Sequence, residues 1–222
     1  MNTAVRLFYR QIRVLKVFMR FYLSSYKLGN ETQRLIEMIP NGRIGYISNA
    51  LDFSGADQNK VKERVDKDMN SLQELGTQVE LINLHDYFGK HDELKKKVEE
   101  LGAIFISGGN VFVLRQAMKL SGLDEILKEL LINQDFLYAG YSAAGCVLAP
   151  NLKPYEIADP VDTPYAELKD VIWEGLGFVD FNFMPHWNSD HPESALIEKE
   201  IQYCEQNNIP YKAIRDGEVT II

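Results

Sequence analysis

Short apolar runs alternate with longer amphipathic segments along nearly the whole chain, and this alternation restricts the fold more than any single motif does. Arg20-Phe21-Tyr22-Leu23-Ser24-Ser25 reads as a first strand, and Asn30 can cap a helix through about Ile39 that Pro40-Asn41-Gly42 breaks. A second buried strand, Arg43 to Ser48, is followed by apolar positions at helical spacing (Val61, Val65, Met69, Leu72, Leu75) that stop at Gly76. Val79 to Leu84 is a third strand. A charged helix, Glu93 to Leu101, ends at Gly102 and leads into a fourth strand, Ala103 to Ile106. Two more helical patterns, Val111 to Lys119 and Leu123 to Ile132, precede a fifth strand that begins at Phe136. Strands alternating with helices of about ten residues or more specify an α/β fold, a mostly parallel, doubly wound sheet with helices on both faces. Its chemistry belongs in loops at the carboxyl ends of strands. At the C-terminus, Ile209 to Ile214 and Glu218 to Ile222 flank Asp216-Gly217 and read as a hairpin closing the sheet edge.

At 222 residues the chain suits one sizeable domain. A net charge of −8 and the lack of a basic stripe with interleaved aromatics argue against a nucleic-acid partner. The two cysteines, Cys146 and Cys204, form no metal-ligand spacing and suit a reducing cytoplasm, where the chain is expected to act. No run approaches the ~20 apolar residues of a membrane span. Residues 1–18 differ from the rest: Arg6, Arg10, Arg13 and Lys16 alternate with apolar residues, without an acid. They read as a basic extension outside a domain that covers 19–222, although a membrane-surface helix or a targeting segment has the same pattern.

The stretch Phe136-Leu137-Tyr138-Ala139-Gly140-Tyr141-Ser142-Ala143-Ala144-Gly145-Cys146-Val147 carries the chemistry. A buried strand ends in glycine, and a serine is then surrounded by the smallest side chains. This is the composition of a nucleophile elbow, in which a strained strand-to-helix turn exposes the hydroxyl and only small neighbours let its two arms pack. The helix start offers free N–H groups where an oxyanion would form. The second glycine of G-x-S-x-G is displaced by one, with Ala144 in its usual place.

Two further loops at predicted strand ends are unusual: Ser107-Gly108-Gly109-Asn110 after the fourth strand, and Pro185-His186-Trp187 after Asp180 to Met184. Gly-Gly-Asn, a serine elbow and Pro-His, in that order at successive strand ends, together with Gly175-Leu176-Gly177-Phe178, resemble the S51 peptidases, the group of peptidase E and the cyanophycinases. The likeness runs from about Met19 to the C-terminus. It implies a class I glutamine amidotransferase-like, flavodoxin-like sheet and a dipeptidase-like or exopeptidase-like serine hydrolase of small peptides. It also implies the roles: Ser142 as nucleophile, His186 as general base, Gly109 and Ala143 N–H groups as the oxyanion hole, and Asn110 as a substrate contact. No metal and no organic cofactor are implied, and a homodimer is suggested by analogy with related hydrolases.

The family places the triad's acid between serine and histidine, an interval that here holds Glu156, Asp159, Asp162, Glu167, Asp170, Glu174 and Asp180. Glu156 and Asp159 bracket the expected spacing, with Glu156 placed first. His191 is the competing base and reads as a rim or cap residue. One departure concerns specificity. The aspartyl dipeptidases carry an arginine in the helix after Pro-His, whereas Ala195 falls at the matching position and cannot clamp a carboxylate. Strict aspartate specificity is therefore not implied. Two alternatives remain open at this level: a non-catalytic relative whose pocket binds a small ligand or partner, and an amidotransferase-type site with Cys146 as nucleophile.

Overall fold

The computed structural model describes residues 19–133 and 135–222. The basic extension expected at residues 1–18 lies outside the described residues. The strands are β1 (Arg20–Ser24), β2 (Arg43–Ile47), β3 (Gln78–Ile82), β4 (Ala103–Ile106), β5 (Leu137–Tyr141), β6 (Asn182–Met184), β7 (Tyr211–Ala213) and β8 (Val219–Ile221). The α-helices are α1 (Thr32–Met38), α2 (Gln58–Glu74), α3 (His91–Leu101), α4 (Val111–Ser121), α5 (Leu123–Asn133), α6 (Ala143–Cys146) and α7 (Ser194–Gln206). Their ends follow local chemistry. Asp57 caps α2 by accepting from the N–H groups of Asn59 and Lys60, and Gly102 ends α3 in the left-handed region at φ 69°. Asn30 does not cap α1 as its type suggests; α1 starts at Thr32, and the Asn30 N–H donates to the Gly217 carbonyl.

Among the described residues the main sheet has the order β3-β2-β4-β5-β1-β8. β1 to β5 pair in parallel, and β8 runs antiparallel to β1. Leaving β1 aside, β2 to β5 take the flavodoxin-like order, with β1 in the place of the last strand. Every residue of β4 and β5 is buried, as a parallel sheet covered on both faces requires. Alternation divides their side chains between two cores. Ala103, Phe105, Leu137 and Ala139 meet Leu35, Met38, Val65 and Leu72 of α1 and α2. Ile104, Ile106 and Tyr138 meet Leu94, Val98, Met118 and Leu127 on the opposite face, where α3, α4 and α5 pack.

The C-terminal segments do not form the expected hairpin. β7 pairs in parallel with β6 in a separate two-stranded sheet, while β8 crosses to the free edge of β1. Turn residues report that the chain reverses but not which strand satisfies the backbone groups beyond the turn. Here the open edge of β1 takes β8, with reciprocal hydrogen bonds between Phe21 and Ile222. Asp216-Gly217 therefore links two sheets and lies at the carboxyl end of β1, where β8 begins before running back along that strand.

Gly140, the penultimate residue of β5, is enclosed on both sides. A Cβ there would collide with the Ile106 carbonyl oxygen and with the Ala144 Cβ. Gly140→Ala should cost on the order of 3 kcal/mol, because neither a sheet carbonyl nor a buried alanine can move aside. The measurement is the denaturant midpoint, which should fall with an unchanged slope; a wild-type midpoint would contradict this packing.

Candidate active site

Ser142 follows β5 with φ 51° and ψ −110°, a backbone region that L-residues occupy only when their surroundings force it. Several contacts do so. The Ser142 N–H donates to the Ser24 carbonyl at the end of β1, and the Ser142 carbonyl accepts from Gly145 and Cys146. Gly108 lies against the other side, where a Cβ would come within 3.0 Å of the Ser142 Cβ and 2.8 Å of the Tyr141 ring. The Phe183 ring packs on Gly145, which explains the displaced glycine: the close approach to helix α6 occurs at Gly145, while the Ala144 methyl fills the space left by Gly140. Tyr141 is fixed by its hydroxyl, which donates to Asp68 Oδ2 at 2.6 Å. Asp68, buried on α2, also accepts from Tyr46 at 2.8 Å and from Lys27 at 2.6 Å.

His186 lies just beyond β6 at φ 59° and is almost fully buried. Its Nδ1 is 2.7 Å from Asp216 Oδ1, and its N–H donates to Ser25 Oγ at 2.7 Å. Ser25 Oγ in turn donates to the same Asp216 oxygen at 2.8 Å. The Asp216 N–H donates to Ser189 Oγ. The loop after β1 and the turn before β8 are thereby joined on one histidine. Burial pushes the His186 pKa below its ordinary value, opposed by the Asp216 hydrogen bond, so the neutral imidazole prevails near neutrality. With its Nδ1 directed at the carboxylate, its Nε2 carries the available lone pair.

The acid beside His186 is thus neither residue expected from spacing. Glu156 is exposed on a 3₁₀ turn and pairs with Lys153, and Asp159 accepts from the Val111 N–H at the start of α4. Asp216 escaped notice because it follows the histidine in sequence, in a turn whose Asp-Gly composition already had a structural explanation. Asn110, expected to touch substrate, uses its side chain within the fold: Oδ1 accepts from Phe112 and Val113, and Nδ2 donates to the Pro160 carbonyl. Cys146 is buried, its thiol donates to the Phe183 carbonyl, and burial raises its pKa well above the ordinary thiol range. Such a thiol is an inert core group. Among the described residues, no backbone oxygen accepts from the Gly109 or Ala143 N–H groups that were expected to face an oxyanion. Gly109, at φ 146°, packs so closely on the Ala50 carbonyl that no side chain fits there.

Ser142, His186 and Gly109 line one cavity of about 350 Å³. Lys27, Lys60, Arg64 and Lys67 also line it, together with Glu63 and Glu193. Arg64 Nε donates to the Tyr141 hydroxyl at 3.2 Å, its guanidinium over the ring. Arg64, Gly109 and Glu193 also border a second cavity of about 520 Å³, floored by Asp159. Ala195 is outside both and lines an outer groove beside Trp187. His191 is more than a rim residue. Its ring stacks on that of His186 with centroids 3.6 Å apart and planes 10° from parallel, and Tyr26 presents an edge contact to each. No helix among the described residues is long and apolar enough to cross a membrane.

The family model for peptidase family S51 matches residues 33–222. A Streptomyces coelicolor protein named peptidase E is 29% identical over 126 residues, a match spanning 54% of this chain and 49% of the relative. A Drosophila melanogaster protein named "probable alpha-aspartyl dipeptidase" is 28% identical over 153 residues, spanning 67% of this chain and 58% of the relative. The chain's match thus covers only about half of these relatives' lengths. The crystal structure of a peptidase E candidate from Listeria monocytogenes EGD-e superposes with a TM-score of 0.67 at 21% identity, covering 92% of this chain and 98% of that one. At that identity the likeness is one of fold.

Glu200 of α7 is buried, and its Oε2 has no hydrogen-bond partner among the described residues. Desolvation, with Asp159 nearby, raises its pKa from 4.5 to about 9. Desolvation likewise raises Asp159 from 3.8 to about 7. In this window the folded chain holds protons that the unfolded chain has released, so stability falls as pH rises from about 4.5 to about 9. Glu200→Gln, which cannot ionise, should flatten the fall of melting temperature across that range. An equally steep fall in the variant would contradict the assignment.

Proposed function

The chain belongs to peptidase family S51, and on that premise we propose that it is a serine-type peptidase of small peptides in which Ser142, His186 and Asp216 form the catalytic triad. The observation that carries this reading is the Asp216–His186 hydrogen bond, with His186 lining the same cavity as the strained Ser142 turn. A serine hydroxyl is a weak nucleophile until a neighbouring base takes its proton. In this reading Ser142 Oγ attacks the scissile carbonyl while His186 Nε2 accepts the proton and Nδ1–H stays on Asp216. The carboxylate stabilises the imidazolium without itself being protonated. The carbonyl oxygen becomes an oxyanion that receives the N–H groups of Gly109 and Ala143. His186 then protonates the departing amine, and a water molecule, activated by the same imidazole, releases the acyl group from Ser142.

The cationic wall supports a substrate that carries a carboxylate. Ala195 supplies no clamp, but Arg64, with Lys60 and Lys67 on the same helix, borders the cavity and offers a forked donor. Arg64→Gln should therefore raise KM several-fold for a peptide with an acidic residue beside the scissile bond, and much less for its amide isostere. Equal effects on both would remove Arg64 from recognition.

Hydrolysis of a dipeptide panel by the wild type and variants tests the triad. Ser142→Ala and His186→Ala should each lower kcat by roughly 10⁴-fold or more, and Asp216→Asn by a comparable factor, because it favours the wrong imidazole tautomer. Glu156→Gln should be close to wild type. A fluorophosphonate probe should label the wild type and not Ser142→Ala. Full activity in Asp216→Asn would sink the proposed triad, and absence of both turnover and labelling would favour a ligand-binding protein.

A further inference from the structure

We propose that His186, His191 and Glu193 form a binding site for a divalent transition-metal ion, zinc being the best fit, and that the bound ion switches the enzyme off. One donor atom from each of the three lies within 4.8 Å of the others, the group among the described residues that brings three such donors together. Two imidazoles and one carboxylate are a zinc ligand set, and a cavity-facing position remains for water. Magnesium and calcium, which favour all-oxygen shells, do not match it.

The surroundings of His186 are those of a metal ligand as much as of a base. Metal-bound histidines usually give their other ring N–H to a carboxylate, which fixes the tautomer and raises ligand basicity. The hydrogen bond from Nδ1 to Asp216 Oδ1 at 2.7 Å does this and leaves Nε2 free. His191 Nδ1 accepts from the Glu193 N–H at 3.3 Å and stands 3.9 Å from Glu193 Oε2, so its lone pair serves an ion once that long hydrogen bond is given up.

The three groups must draw together. Tetrahedral zinc with bonds of 2.0–2.1 Å spaces its donors roughly 3.3 Å apart. His186 is buried and held by Asp216 and Ser25, so the movement falls to the other two, whose side chains are 20% and 43% exposed. Ring nitrogens donate in the plane of the ring, so His191 must also turn out of its present parallel stack on His186. The cations of the neighbouring α2 wall oppose any positive ion. They select for an ion whose bonds to imidazole are strong enough to overcome that repulsion.

The binding half of the proposal stands independently. The inhibitory half rests on His186 as the general base, because an ion on Nε2 takes the lone pair that would accept the Ser142 proton. The test begins with Co²⁺ titration of the Ser142→Ala protein, followed by its visible absorption. One Co²⁺ per chain in a tetrahedral spectrum, displaced by Zn²⁺, is expected. His191→Ala and Glu193→Gln, each checked by circular dichroism for native folding, should weaken binding at least tenfold. No Co²⁺ binding, or binding unchanged in both variants, overturns the site. The second arm measures turnover by the wild type and His191→Ala with Zn²⁺ and with EDTA. Zn²⁺ should inhibit the wild type reversibly, and His191→Ala should need at least tenfold more. Binding that is lost in the variants but leaves wild-type turnover intact upholds the metal site and overturns inhibition, while the role of His186 as base is decided separately by His186→Ala.

Discussion

Ser142 adopts φ 51° and ψ −110° without being a glycine, and a conformation of that kind persists only where neighbouring structure over-determines it. The determinants come from every side. Gly140 and Gly108 let β4 and the following loop approach; Gly145 admits the Phe183 ring; and the buried Asp68 on α2 anchors Tyr141, the residue just before the turn. The strain is thus supported by packing in both cores of the sheet. The small-residue composition of this stretch follows from that support, since a single added methyl at Gly140 would meet backbone or buried side chain.

The electrostatics of the cavity are set by burial more than by net charge. The chain carries a charge of −8, yet four cations and two acids border the cavity that contains Ser142. Two of those cations are committed to the fold, Lys27 through Asp68 and Arg64 through Tyr141, so the wall is held in place before any ligand arrives. Desolvation lowers the pKa of His186 and raises those of Asp159 and Glu200. All three shifts favour the neutral form, which is the effect of removing ionisable groups from water.

The elements that carry Ser142 and those that carry His186 belong to different sheets, and the last turn of the chain joins them. Ser25 follows β1, His186 follows β6, and Asp216 precedes β8, so three segments far apart in sequence share one hydrogen-bonded cluster. The stacking of His191 on His186 belongs to the same convergence. Pairing β8 with β1, in place of a hairpin with β7, is what carries Asp216 to the carboxyl end of β1.

The sequence by itself determined the alternating α/β plan, the positions of most strands and helices, the serine elbow and the histidine after Pro185. These are local matters: apolar periodicity, capping and stop residues, and the need for small side chains at a tight turn all act within a few residues. The partner of His186 was not local. Glu156 and Asp159 were equally acidic and nearer in sequence to the expected spacing, but one lies exposed beside Lys153 and the other caps the approach to α4. Only the tertiary structure decided that Asp216 pairs with His186, that α2 brings Lys60, Arg64 and Lys67 to the cavity, and that His191 lies on His186. The reason is that long-range pairing follows from which strand edge is open and which loops it gathers, and neither has a signature in the order of residues.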